Sequence, residues 1–167
     1  GWRPGLSKKL NPLETDIIDL PDLNKKGEWS KKHQTRINKA KKSLEISNKV
    51  ETIINNLIER ESENLYLLDI YSQVNELTKF SSNAILKLEK VDFDSDLKHI
   101  KNLENEFNTM RNKFEMIYSK TRTLNKPKDY ILDQDHHHHP ANQTVNFDWQ
   151  FLSEIMVLKK IKETYKI

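Results

Sequence analysis

The strongest constraint in this chain is a run of apolar residues spaced by helical steps from Leu97 to Tyr118. Leu97, Ile100, Leu103, Phe107, Met110, Phe114, Ile117 and Tyr118 follow one another mostly at intervals of three or four. A side chain recurs on one face of a helix at that spacing, whereas a strand would alternate in twos. The stretch therefore reads as an amphipathic helix, with Asp94-Ser95-Asp96 offering caps at its start. Leu103, Phe107, Met110 and Phe114 are expected in the core.

The same period appears on both sides of that run. A first helix is expected from near Trp29 or Ser30, with Gly27 breaking the preceding pattern and Ile37, Ala40, Leu44, Val50, Ile54, Leu57 and Ile58 turned inward. A second spans about Asn64 to Glu89, its stripe formed by Leu67, Ile70, Tyr71, Val74, Leu77, Ala84, Ile85 and Leu88. Ser81-Ser82-Asn83 is expected to kink it, because such side chains compete for backbone hydrogen bonds. A last helix runs from about Asp148 to Tyr165, with Trp149, Leu152, Ile155, Met156, Leu158 and Ile161 inward and Lys159, Lys160, Lys162 and Lys166 near its end, where the helix dipole favours positive charge. None of these stretches contains a proline, and short connections between the first three make them antiparallel neighbours. The fold class is all-α: an antiparallel bundle of three to four long helices, with an extended N-terminal strap and one long ordered loop.

Residues 1–28 form the strap and residues 29–167 the bundle domain. Pro4, Pro12 and Pro21 bias the strap toward extended geometry. Trp2, Leu6, Leu10, Leu13, Ile17, Ile18, Leu20 and Leu23 are spread along it, more apolar anchors than a flexible linker carries. The strap is expected to pack along the bundle itself or along a domain preceding Gly1. The loop, residues 122–147 before the last helix, is long enough to suggest a role, since unstructured connections beyond about 12–15 residues are uncommon in compact domains. It is polar, flanked by aromatic residues, and contains His136 to His139.

Composition removes several function classes. With 167 residues the chain suits one domain with a real core. A net charge of +3 is too small for a nucleic-acid footprint. The absence of cysteine excludes disulfides, thiolate metal sites and cysteine nucleophiles. No apolar run approaches the about 18 residues of a membrane span. Phosphate-binding glycine loops, zinc-protease helices and serine-nucleophile elbows are absent too.

Three constellations have a functional and a plainer reading. His136 to His139 with Asp133 and Asp135 carry metal-binding side-chain types, but neighbours in an extended loop point to opposite sides, so histidines that hydrogen-bond and fix the loop are the better reading. No metal or other cofactor is expected. Lys31, Lys32, Arg36, Lys39, Lys41 and Lys42 could meet phosphate or anionic lipid; a solvated helix face is the default. Their place near a helix start implies acidic neighbours such as Asp22 and Glu28. Among Glu61, Glu63, Asp69 and Glu76, nothing singles out a pair for glycosidase chemistry.

Two stretches, GWRPGL…IIDLPDLNKKGEWSKKHQTRINKAKK and RTLNKPKDYILDQDHHHHPANQTVNFDWQF, resemble the C-terminal region of bacterial family 20 glycoside hydrolases, the β-N-acetylhexosaminidases. With the helices between them, the resemblance spans essentially the whole chain. It implies a secreted or periplasmic parent that removes terminal N-acetylhexosamines, using an Asp-Glu pair on a (β/α)8 barrel together with the substrate's own acetamido group. The family's stretch around that pair is missing here, so no catalytic residue carries over. What the resemblance implies for this chain is a non-catalytic helical appendage whose partner is the parent's barrel. Tyr130, Asp133, Asp135, His136 and Trp149 in the loop are the candidates for contact with that barrel or with glycan. The alternatives are a free-standing helical adaptor and a metal-binding bundle centred on the histidines.

Overall fold

The computed structural model describes residues 6, 17–60, 63–118, 120 and 151–167. Among them every regular element is a helix: α1 (Glu28–Lys32), α2 (Gln34–Ile58), α3 (Leu65–Asp94), α4 (Lys98–Lys101), α5 (Leu103–Tyr118) and α6 (Leu152–Tyr165). Four of the six are long, and the fold is an all-α bundle. Its directions can be followed from side-chain pairs. Lys41 meets Glu89 and Lys79 meets Glu51, so α2 and α3 are antiparallel. Lys87 with Glu106, and Lys120 with Asp69, do the same for α3 and α5. Lys162 meets Glu104 while Phe151 meets Phe114, which turns α6 against α5.

The seam from Leu103 to Ile117 behaves as its spacing demands. Leu103, Phe107, Met110, Phe114 and Ile117 are buried, and Phe107 lies 5.6 Å from both Phe80 of α3 and Phe151 before α6. Ile37 and Ala40 of α2, Ala84, Ile85, Leu88 and Val91 of α3, and Val157, Leu158 and Ile161 of α6 complete the core. From the strap, Leu6, Ile17 and Ile18 are buried in the same cluster, with Leu20 and Leu23 against it, so these anchors pack along the bundle itself. Trp2, Leu10 and Leu13 lie outside the described residues.

Several expectations need correction. Val50 and Leu57 on α2 and Leu67, Tyr71 and Val74 on α3 are exposed rather than inward. They belong to a second seam one position away from the core-facing one, which a periodicity count cannot separate. Helix α3 is continuous through Ser81 and Ser82. Both are buried, and Ser81 donates to Glu154 of α6 at 3.1 Å, so its hydroxyl is taken up by a neighbouring helix. The expected first helix is divided at His33, and the third at Asn102. Helix α3 continues past Glu89 to Asp94 and ends at Ser95, whose φ of 60° is the left-handed conformation that closes many helices. Asp96 then accepts from the Lys98 backbone N–H at 2.9 Å, as its place among the candidate caps implied.

Candidate functional site

The most developed polar site is where the strap lies on the bundle. An extended segment has carbonyl groups that no helix or sheet ladder satisfies, and burying them unpaired is costly. Here four strap carbonyls receive four bundle side chains. Ile18 O accepts from Lys160 Nζ at 3.4 Å, Asp19 O from Trp29 Nε1 at 2.7 Å, Pro21 O from the Tyr165 hydroxyl at 2.7 Å, and Leu23 O from the Ser95 hydroxyl at 3.0 Å. The donors come from α6, α1 and the end of α3, so the strap ties three elements together.

Asp19 is the centre of this latch. Its carboxylate meets Lys32 Nζ at 2.8 Å and His33 Nε2 at 2.7 Å. Trp29, Lys32, His33 and Arg36 are spaced three, four and seven residues from the first, which places them on one helical stripe facing the strap. The Trp29 and His33 rings meet at a tilt of 48°, with centroids 4.8 Å apart. Burial by itself would push the Asp19 carboxyl up, but the hydrogen bonds from Lys32 and His33 and the charge of His33 hold it below its ordinary value. Partial burial lowers the Arg36 guanidinium, and the Asp19 charge works against that shift.

A second carboxylate supports the latch from beneath. Asp92 on α3 is buried; its Oδ2 accepts from the Ser30 backbone N–H at 2.8 Å and its carbonyl from Gly27 N–H at 3.2 Å. A negative side chain from a different helix thus caps the positive end of α1. Gly27 reaches this geometry at φ 79°, a left-handed conformation that favours glycine. Asp92 Oδ1 has no hydrogen-bond partner among the described residues. Burial, with the charges of Asp92 and Asp22, pushes the Tyr165 phenol up to about 12, so at neutral pH it is the protonated donor that Pro21 O needs.

The basic run is divided by this arrangement. Lys32 and Arg36 interact with Asp19, Lys41 pairs with Glu89, and Lys31, Lys39 and Lys42 remain exposed. The acidic neighbour that matters most is Asp19; Glu28 approaches Lys25 only at 4.0 Å, and Asp22 accepts from the Asn24 backbone. Of the carboxylates weighed for glycosidase chemistry, Asp69 pairs with Lys120 and Glu76 with Lys79. A hollow of about 540 Å³ between α2, α3 and α5 is lined by polar residues including Glu51, Gln73, Glu76, Asn105 and Thr109. Of its acids, Glu51 and Glu76 are held by Lys79 and Glu106 by Lys87.

Tyr130, Asp133, Asp135, His136 and Trp149, the loop residues proposed from sequence, lie outside the described residues, as do His137 to His139. Sequence reasoning missed Asp19, Asp92, Ser95 and Tyr165 as working residues. For Asp19, the usable signal was the stripe of Trp29, Lys32, His33 and Arg36, an indole and three basic groups on one face needing a common acceptor. Among the described residues, no group of three His, Asp or Glu is placed to hold a metal ion, and no helix is long and apolar enough to cross a membrane. Comparison with family models, with curated proteins and with solved structures finds no match to this chain.

Proposed function

We propose that this chain is a non-catalytic helical accessory module of a secreted or periplasmic β-N-acetylhexosaminidase of glycoside hydrolase family 20, joined to the catalytic barrel through its strap. The observation that carries this reading is the set of four strap carbonyls held by Lys160, Trp29, Tyr165 and Ser95. A linker that only tethers two bodies stays solvated and free to turn. A strap whose backbone is taken up by the bundle transmits orientation instead, which is what a module that stabilises a barrel or shapes the rim of its cleft requires. The motif resemblance is what points to that barrel, and the polar latch is what supports the mechanical role.

The test begins with the coding sequence upstream of the Gly1 codon. A barrel-length stretch with an Asp-Glu pair following a strand supports the reading, and a start codon immediately before Gly1 overturns it. In the intact enzyme, Asp19→Ala should then lower the inactivation temperature while leaving kcat/KM for 4-nitrophenyl N-acetyl-β-glucosaminide unchanged at low temperature.

A further inference from the structure

Helices α2 and α3 each have a second apolar seam that the bundle does not use. On α2 it is Ile46, Val50, Ile53 and Leu57, and on α3 it is Leu67, Tyr71 and Val74; all seven are exposed, from 36% for Val50 to 60% for Tyr71. Steps of four, three and four residues are the heptad spacing of a helix that packs against another helix. Ile46 and Val74 each precede by one position the pair that joins the two helices, Asn75 Nδ2 donating to Ser47 O at 2.9 Å; Val50 likewise precedes Glu51, which meets Lys79, and Ile53 precedes the buried Ile54. One position back is a turn of roughly 100° about the helix axis. In antiparallel helices that turn swings both seams to the same side of the pair, so the two form one apolar trough. Helix α5 lies on the opposite side, where Glu51, Gln73 and Glu76 face Asn105 across the polar hollow.

The trough has a basic margin. Lys39, Lys42, Lys49 and Arg60 are all exposed along the α2 edge, and among the described residues Lys49 alone of these pairs with a carboxylate, Glu45, in an exposed pair of the kind that contributes little. We propose that this trough receives an amphipathic helix of another protein, with apolar residues at heptad spacing and acidic residues along the flank that meets α2. The seams are narrow, as helix partners require, whereas membrane-surface helices present a broad apolar face. A second copy of this chain would bring the same basic margin against the trough, so charge complementarity favours an acidic partner over self-association. This inference does not depend on the glycosidase reading.

A fluorescein-labelled synthetic helix of three heptads, with Leu at the seam positions and Glu at the flanks, is titrated with the full chain and followed by anisotropy. The same peptide with Lys flanks is the comparison. The expected result is binding of the Glu peptide at least roughly tenfold tighter than the Lys peptide, weakening with salt. Ile53→Glu should abolish it without moving the circular-dichroism melt, because Ile53 is 58% exposed. The triple variant Lys39→Glu, Lys42→Glu, Lys49→Glu should transfer the preference to the Lys peptide. Equal binding of the two peptides, or binding indifferent to Ile53→Glu, overturns the proposal. So does attachment to phosphatidylserine vesicles without peptide binding, which assigns the trough to a membrane surface. A dimer in sedimentation that Ile53→Glu dissolves overturns it in favour of a second copy.

Discussion

Phe107 and Phe151 provide the sharpest test of how α6 is held to the bundle. Both rings are buried, at 3% and 1% exposure, and they meet edge to face at 5.6 Å with an interplanar angle of 81°. Phe107 also touches Phe80, and Phe151 touches Phe114 while the Arg111 guanidinium lies 5.6 Å from its centroid. Truncating a fully buried phenylalanine removes its transfer free energy and leaves a cavity, so each single alanine variant should lose about 3–5 kcal/mol. For a domain of this size, that corresponds to a melting temperature lower by roughly 6–20 °C. The single variants alone report burial; the pair reports contact. An edge-to-face pair contributes about 0.5–1.5 kcal/mol beyond its buried area, so the double variant should be less destabilised than the sum by about that amount. Chemical denaturation of wild type, Phe107→Ala, Phe151→Ala and the double variant, with constant m-values, measures all four corners. Losses below about 1 kcal/mol for either single variant would refute the burial. Large losses that add to within about 0.3–0.5 kcal/mol would refute the direct packing of these two rings.

Three further outcomes follow from the latch. The Tyr165 phenol titrates near 10 when unfolded and at about 12 in the fold, so its contribution is full below pH 10 and is lost as pH rises toward 12; thermal melts across that window should decline, and Tyr165→Phe should remove that part of the slope. Asp19 has the opposite sign: its folded pKa is depressed, so its contribution is present above the ordinary aspartate range and lost as pH falls through the lowered value, and acid melts of Asp19→Asn should be flatter there. Gly27→Ala imposes a side chain on a residue at φ 79°, and should cost about 1–2 kcal/mol by denaturation, with no loss from steric contact because the nearest atom, on Phe93, lies 3.6 Å from the new Cβ.

The seam of α5 was legible because a single face of that helix is apolar and a single face is buried. On α2 and α3 two faces are apolar, and spacing gives no reason to assign Ile54 inward and Ile53 outward; only the partner helices decide. The buried polar residues were the least legible. Ser47, Asn75, Ser81, Asp92 and Glu154 read as ordinary solvated positions within helical patterns, yet each lies inside where a particular neighbour meets it. The strap was recognisable as an apolar, proline-spaced segment, and Ile17 and Ile18 are buried as such a segment requires. Its latch was not, since a backbone carbonyl has no signature in the side-chain sequence and its donors lie as far as 144 residues away.

That separation has a consequence in time. Ile18 and Pro21 leave the ribosome ahead of Lys160 and Tyr165, the donors for their carbonyls, which come 142 and 144 residues later. At about 5–20 residues per second, the ribosome needs roughly 7–30 s to cover that interval. Throughout it, α2, α3 and α5 can pair through contacts nearer in sequence, while Ile17 and Ile18 lack the α6 side of their pocket. The nascent chain therefore holds an open apolar slot until α6 is released, and a chaperone that binds short apolar segments would find its substrate there rather than in the finished molecule.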